Sequence, residues 1–528
     1  MRCRTPAAAW ATSPGRRRSS TRSAAPCAVP GRSGSAPTRS PATEFVGSRR
    51  RPLTPGGDRR RRGDRCPAGA ALSGGLRCCQ GPVQRPPYND AVPSSPPRAS
   101  SRPLARLREN RDSVAVLWGA FALVHVVLSL LALFAPGLPM GDVSIVYKEW
   151  MRTAVEGGGI AGIDTGWVYP ILAWGPIAAS WLFGSAGYDL MWLVLVALAD
   201  AAAFALLLRG RSAPRLAAAR WWLLFLVLLG PIAIGRIDAF TAPPAIAGML
   251  WAATRPGVAA LLLTVATWIK VWPAAILAAA VLVLRGRLRM VLVPAVASVI
   301  IVLAVVLVGG GDQVFSFVTD QTDRGLQIEA VVSTPWMWLS VLPGSGSYVY
   351  YAADINTFEM HGPGTEFAAS LMTPLLALAM LGVALLGARA LALRADPARL
   401  FPLLALTFVV VFIDTNKVLS PQYIVWLAPP VIAGLIACRD GAFDRPAKLT
   451  LVTAALTQVV YPYLYLFLLW SHWWMVLVLT VRNILLVVLL GWLLRELWRM
   501  GTARVVAPGA TTSASSLTGE TRLAPQGS

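Results

Sequence analysis

Metal and nucleotide signatures are the first things this chain lacks. Its three histidines, His125, His361 and His472, are too scattered for a metal cluster, and no HExxH motif is present. Cysteine is nearly absent from the apolar part. Cys3, Cys27, Cys66, Cys78 and Cys79 all precede residue 112, leaving Cys438 alone, and the Cys78-Cys79 pair lacks zinc spacing. No Walker motif and no GxGxxG following a strand occurs, so neither a metal nor a nucleotide cofactor is expected. No short apolar stretch of the signal-peptide kind precedes the first long apolar run, which begins near Ser113. Charge is also scarce, at 14% of 528 residues against 55% hydrophobic residues and a mean hydropathy of +0.57. Those values exclude an ordinary soluble domain and describe a polytopic membrane protein, expected to be all-α from the long apolar runs below.

What charge there is lies unevenly. The formal net charge is +22, yet residues 1–112 hold 23 Arg, no Lys and 6 acidic residues, or +17 of it. This Arg-, Pro- and Ser-rich segment has no apolar run with which to build a core and reads as disordered. It is open to two readings. One is an arm for anionic lipid or nucleic acid. The other, which we favour, is an upstream extension with a mis-assigned start, since GC-rich non-coding DNA encodes such a mixture. No nucleic-acid partner is expected. The segment after Arg504, within a tail at 499–528, is rich in Ala, Ser, Thr and Gly and also reads as disordered.

Between them, residues 113–498 carry apolar segments near 113–135, 188–208, 221–235, 240–254, 257–269, 271–285, 290–309, 367–393, 400–414, 421–438, 448–469 and 473–498. Basic clusters punctuate them around Arg102–Arg111, Arg209–Arg220, Arg255, Arg285–Arg289, Arg394/Arg399, Arg439–Lys448 and Arg495/Arg499. Lys and Arg concentrate in cytoplasmic loops. Placing every cluster inside yields about twelve helices in a plasma membrane, with both termini cytoplasmic. Two consequences follow. Residues 169–184 cannot be a full crossing, and read instead as a juxtamembrane or re-entrant helix in a long first outer loop, 136–187. The apolar run 257–285 must be a hairpin turning near Lys270 and Pro273, because arginines flank both of its ends.

The outer face then carries the loop 136–187, the GRID turn at 235–238, the Lys270 turn, a large loop near 310–366 and the segment 414–423. The basic residues Lys148, Arg152, Arg236, Lys270, Arg324 and Lys417 break the inside rule, and Arg482 is buried in the last helix. An anionic ligand such as a lipid phosphate accounts for several of them. Asp142, just after the first helix, reads either as an N-cap carboxylate or as a general base beside the membrane. Asp164 reads as a turn residue. Arg236 and Asp238 read as a mutual or neighbouring salt bridge, and Asp200 is one possible partner for Arg482.

Taken together, Asp142, the VYP at 168–170, GRID at 235–238, ATWIKVWP at 266–273, RGLQIE at 324–329 and KVLSPQYIVWLAP at 417–429 resemble the GT-C glycosyltransferases. The nearest group is glycosyltransferase family 87, the actinobacterial enzymes that use polyprenyl-phosphate sugars. The resemblance covers roughly residues 113–498. It implies a GT-C fold with juxtamembrane helices in the long first outer loop. It also implies an outward-facing site that transfers a sugar, often mannose, from a polyprenyl-phosphate donor to a lipid-linked glycan acceptor. Asp142 then maps onto the general base and Lys270 onto the lysine of a short-helix hairpin. Arg324, Lys417 and Arg236 become donor-phosphate ligands, and Tyr147, Tyr169, Asp238, Gln327, Glu329, Gln422 and Tyr423 become substrate contacts. The chain departs from the family pattern at Tyr169-Pro170-Ile171, where YPP is frequent, and at Gly235-Arg236, where GQ is frequent. Arabinofuranosyl transfer from polyprenyl-phosphoarabinose is the alternative within the same chemistry. A lipid or solute transporter is the alternative outside it, although no internal repeat supports that reading.

Overall fold

The computed structural model describes residues 113–320, 324–353 and 355–500. The N-terminal segment 1–112 and the tail from 501 lie outside the described residues, so the expectations for them find no counterpart here. The long helices are α1 (Val114–Phe134), α3 (Gly184–Leu208), α4 (Ala213–Leu229), α8 (Arg287–Leu307), α9 (Thr365–Ala392), α10 (Pro397–Asp414) and α13 (Trp473–Met500). Shorter ones are α2 (Lys148–Val155), α5 (Ala242–Trp251), α6 (Pro256–Ile269), α7 (Ala274–Val283), α11 (Ala428–Ala437) and α12 (Asp444–Gln458). Among the described residues, seven helical stretches are long and apolar enough to cross a membrane, and three shorter apolar helices accompany them. The architecture is that of a multi-pass membrane protein.

Proline sets many of the helix starts. Pro214, Pro243, Pro256, Pro397 and Pro429 stand in first turns, where a missing backbone donor costs nothing. Asp396 adds a cap to α10 by accepting from the Ala398 amide at 3.1 Å. Leu263 of α6 packs so close to Gly248 of α5 that a Cβ there would fall 2.8 Å from its Cγ. Small residues allow such approach between apolar helices, where no hydrophobic force drives association. The helices α4, α10 and α11 form the buried centre, while α1, α8 and α9 leave large apolar side chains exposed on their outer faces.

Two of the apolar runs are interrupted rather than continuous. Residues 171–208 are not one straight helix, which would run about 57 Å against a hydrocarbon core of about 30 Å. They begin as short helical pieces, Ile171–Ala173, Trp174–Ala179 and Ser180–Phe183, and the chain breaks at Gly184, whose φ of 66° suits glycine. The run 257–285 is a hairpin. Lys270 is extended, with φ −153° and ψ 134°, between α6 and α7. The hairpin's two ends meet, because a Cβ built on Gly286 would lie 3.0 Å from Pro256 Cβ. Lys270 is therefore at the tip.

The purely α expectation is corrected by a small antiparallel sheet, ordered β1 (Leu326–Gln327), β3 (Thr357–His361), β2 (Tyr348–Ala352). Leu326 pairs with Met360 and Tyr350 with Glu359. The aromatic run YVYYA favours extended chain, and Asn356, at φ 49°, takes the left-handed position of the turn. This sheet grows out of the 310–366 loop, where a search for long apolar runs finds none.

Candidate functional site

The site forms where the first long loop, the GRID turn, the α6–α7 tip and the segment Pro421–Leu427 meet. After α1 the chain turns through 138–141 and enters a π-helical turn, Asp142–Tyr147, that buries Val143 and Tyr147. Asp142 makes no capping bond, so the N-cap reading is set aside. Its Oδ2 instead faces Arg236 Nε at 3.1 Å, and the Tyr147 hydroxyl donates toward the same oxygen at 3.5 Å. The Asp142 side chain remains 35% exposed, whereas that of Arg236 is only 7% exposed. A solute can reach the carboxylate but not the guanidinium.

Arg236 is otherwise engaged. It donates to the carbonyls of Pro139 at 2.5 Å and Gly235 at 2.9 Å, and to the Tyr461 hydroxyl at 2.7 Å. Tyr461 in turn donates to the Leu138 carbonyl at 3.0 Å. The guanidinium thus ties Asp142 and the segment just before it to a distant helix end. Burial opposes its charge, but Asp142 and then Tyr461 outweigh that and raise its pKa. The expected mutual pairing of Arg236 with Asp238 does not form; each takes a different partner.

Asp238 is fully buried. Its Oδ1 accepts from Trp426 Nε1 at 2.6 Å, and its Oδ2 lies 3.6 Å from Lys270 Nζ. That second contact is an ion pair rather than a hydrogen bond, and Oδ2 has no hydrogen-bond partner among the described residues. Lys270 Nζ also sits 4.7 Å from the Tyr169 ring centroid and 5.4 Å from that of Tyr423. Burial is the largest influence on this lysine and opposes its charge. Asp238, followed by the nearby phenols and Asp142, overcomes it and raises the pKa, so Lys270 is a cation at neutral pH. Trp426 stacks on Tyr423 at 3.9 Å and on Trp272 at 5.7 Å, and Trp272 donates to Thr241 beside the GRID turn. These rings hold the lysine in place.

An aromatic wall completes this end. The Tyr147 and Tyr169 hydroxyls are 3.1 Å apart; Trp150 stacks on Tyr147 at 5.6 Å, and Trp150 and Trp167 meet Tyr169 edge-on at 6.1 and 5.6 Å. Burial, then Tyr169 and Asp142, push the Tyr147 pKa well above the ordinary tyrosine value, so its hydroxyl keeps its proton. From the sheet side, the Gln327 amide N–H donates to the Lys417 carbonyl at 3.0 Å and its side chain donates to Ser420 at 3.1 Å. Lys417 and Gln422 are buried in the same segment, and Arg324 is close enough to Tyr423 to act on it electrostatically. Arg324 Nε has no hydrogen-bond partner among the described residues.

Other expected members stand apart. Lys148 pairs with Asp189 of α3 at 3.8 Å, and Arg152 with Glu149 and Glu156 of its own turn. Asp164 accepts from the Ile160 amide at 2.7 Å and is a turn residue. Glu329 is fully buried against Arg482 at 3.3 Å, and Arg482 also donates to the Glu329 carbonyl at 3.1 Å. Asp200 is therefore not the partner of Arg482; its Oδ2 lies 3.0 Å from His125 Nε2. Burial pushes the Glu329 carboxyl up to about 7, with Arg482 and Tyr465 pulling the other way. The sequence does not distinguish Trp426, Tyr461 and Tyr465 from its many other aromatic residues. The aromatic-proline run YPYLY at 461–465 is the one local feature marking two of them.

Among the described residues, no three His, Cys, Asp or Glu side chains stand close enough together to hold a metal ion. The arrangement offers a reachable carboxylate held by an arginine, a fixed lysine cation near it, and a wall of rings. Compared with family models, with curated proteins and with solved structures, the chain shows no match in any of the three.

Proposed function

We propose that the chain is an integral-membrane glycosyltransferase of the GT-C kind. It transfers a sugar, with mannose favoured, from a polyprenyl-phosphate carrier to a lipid-linked glycan at the outer face of the membrane. The observation that carries this reading is the convergence of Asp142 and Lys270, 128 positions apart in the chain, on one end of the helical bundle with opposite charges and different exposure. The basic loops lie at the other end of the same helices, which favours a site facing away from the cytoplasm.

In this reading Asp142 removes the proton from an acceptor hydroxyl as its oxygen attacks the anomeric carbon. The bond from that carbon to the lipid phosphate oxygen breaks, and the prenyl phosphate leaves with the electron pair. Lys270, with Arg324 and Lys417 on the sheet side, stabilises the growing phosphate charge in a site of low water content. Arg236 fixes the carboxylate and does not itself hold the phosphate, since its other donors are bound to carbonyls and Tyr461. Displacement by one base inverts the anomeric centre, and no second carboxylate is needed to form a covalent intermediate. The ring of Tyr169 packs against the sugar or the first isoprene units, and the buried rings of Tyr147 and Tyr423 back it rather than touch the substrate as the resemblance implied.

The test is to incubate membranes containing the full chain with polyprenyl-phosphomannose, and separately polyprenyl-phosphoarabinose, labelled in the sugar. Label should move into a lipid product with one of them. Transfer from neither would overturn the proposal, and transfer from the arabinose donor alone would replace mannose with arabinofuranose.

A further inference from the structure

The opposite end of the bundle carries a feature that sugar transfer does not use. A cavity of about 310 Å³ opens where α3 ends and α4 begins, beside the end of α5 and the start of α6. Arg209, Arg215 and Arg255 line it with Leu206, Leu250 and Trp251, and none of its lining residues is acidic. Arg215 Nη1 donates to the Leu206 and Leu207 carbonyls at 3.0 and 3.4 Å, which aims its guanidinium along the cavity rim. The Arg255 guanidinium lies 5.6 Å from the centroid of the Trp251 ring. Elsewhere at this end an arginine finds an acid, as Arg399 does with Asp440 at 2.7 Å. Three guanidiniums around one hollow repel each other, and no lining carboxylate offsets this.

We infer that this cavity binds the phosphate group of an anionic phospholipid. Planar guanidiniums pair with phosphate oxygens through two parallel bonds, which a lone lysine cannot match. The volume is at the small end of ligand pockets, roughly 300 to 1,000 Å³, and suits a phosphoglycerol headgroup. Leu206, Leu250 and Trp251 give the rim an apolar side along which acyl chains continue, and tryptophan is at home at that depth. Basic pockets between helices at the cytoplasmic surface recognise such headgroups. The inference does not depend on the catalytic reading, because it uses a different end of the molecule.

The test uses the purified, delipidated full chain and measures phosphatidylglycerol and phosphatidylcholine binding by native mass spectrometry. Wild type should retain phosphatidylglycerol and not phosphatidylcholine. The Arg209→Gln/Arg255→Gln double variant, altered at two exposed positions, should lose at least tenfold in phosphatidylglycerol affinity. Arg287→Gln/Arg289→Gln, at the same end but outside the cavity, should lose less than twofold. The first 112 residues hold 23 Arg, so the comparison is among variants that share them. Equal retention of both lipids, or equal losses in the two double variants, would overturn the assignment. If the glutamine pair fails to fold, Arg209→Lys/Arg255→Lys keeps the charge and decides: a severalfold loss supports recognition by the guanidinium fork, and wild-type affinity refutes it. Competition by inorganic phosphate at tens of millimolar would show that the phosphate group alone suffices; retention of lipid in its presence would show that the lipid is the ligand.

Discussion

Two carboxylate–arginine pairs in this molecule have nearly the same length and opposite settings. Asp142 and Arg236 stand 3.1 Å apart with the carboxylate 35% exposed, while Glu329 and Arg482 stand 3.3 Å apart with neither side chain more than 1% exposed. In the first pair every arginine nitrogen has a partner and the acid faces outward. In the second, Arg482 Nε and Nη1 and Glu329 Oε1 have no hydrogen-bond partner among the described residues. In one case the arginine holds a carboxylate that stays open to solvent. In the other it neutralises a neighbour inside the bundle, and breaking that pair leaves a buried charge.

The largest expected effect comes from breaking the closed pair on its acidic side. Arginine cannot discharge, so Glu329→Leu removes its only paired carboxylate among the described residues, leaves just the electrostatic influence of Asp414, and should cost about 3 to 5 kcal/mol of stability in detergent. Arg482→Met should cost clearly less, because Glu329 then takes up a proton instead. Thermal unfolding of the two variants compares them, and equal losses would contradict the asymmetry.

Next is a pH effect confined to the same pair. Glu329 has its folded pKa raised to about 7 from a carboxylate's usual 4.5, so the folded state holds its proton more tightly than the unfolded state. Its contribution is fully present below pH about 4.5 and is lost as pH rises through about 7, an amount on the order of 3 kcal/mol. Glu329→Gln should flatten wild-type stability across that window. A slope that survives the substitution would assign it to another group.

Smaller effects sharpen the open site. Lys270→Met leaves Asp238 buried with Trp426 as its remaining contact, and should cost about 1 to 3 kcal/mol. It should also reduce sugar transfer well over tenfold, which kinetics on the folded fraction would show. Tyr461→Phe removes the 2.7 Å bond that anchors Arg236. It should cost about 1 kcal/mol and lower kcat a fewfold with KM unchanged.

The open site was largely legible from its sequence and the closed pair was not, for a physical reason. Asp142, Arg236, Asp238 and Lys270 each interrupt or border an apolar run, and a charge there is expensive enough to need an explanation. Charge parity also exposed the α6–α7 hairpin, because arginines at both ends of one apolar run cannot lie on the same side after a single crossing. The Glu329–Arg482 contact spans 153 positions and leaves no periodic trace, so Asp200 was as reasonable a partner as any acid. Trp426 and Tyr461 carry little signal in the sequence, because aromatic residues abound in such a chain and their contacts rest on one ring nitrogen and one hydroxyl. The sheet was hidden in a loop whose strands are only two to five residues long.

The most direct measurement sets Asp142→Asn beside Glu329→Gln in the transfer assay with labelled polyprenyl-phosphate sugar, each checked for a wild-type elution profile. Asp142→Asn should fold normally and lose about 10²- to 10⁴-fold in turnover, the usual worth of a general base. Glu329→Gln should keep turnover within a fewfold of wild type. Full activity in Asp142→Asn, or equal losses in both variants, would contradict the assignment of the open carboxylate as the catalytic one.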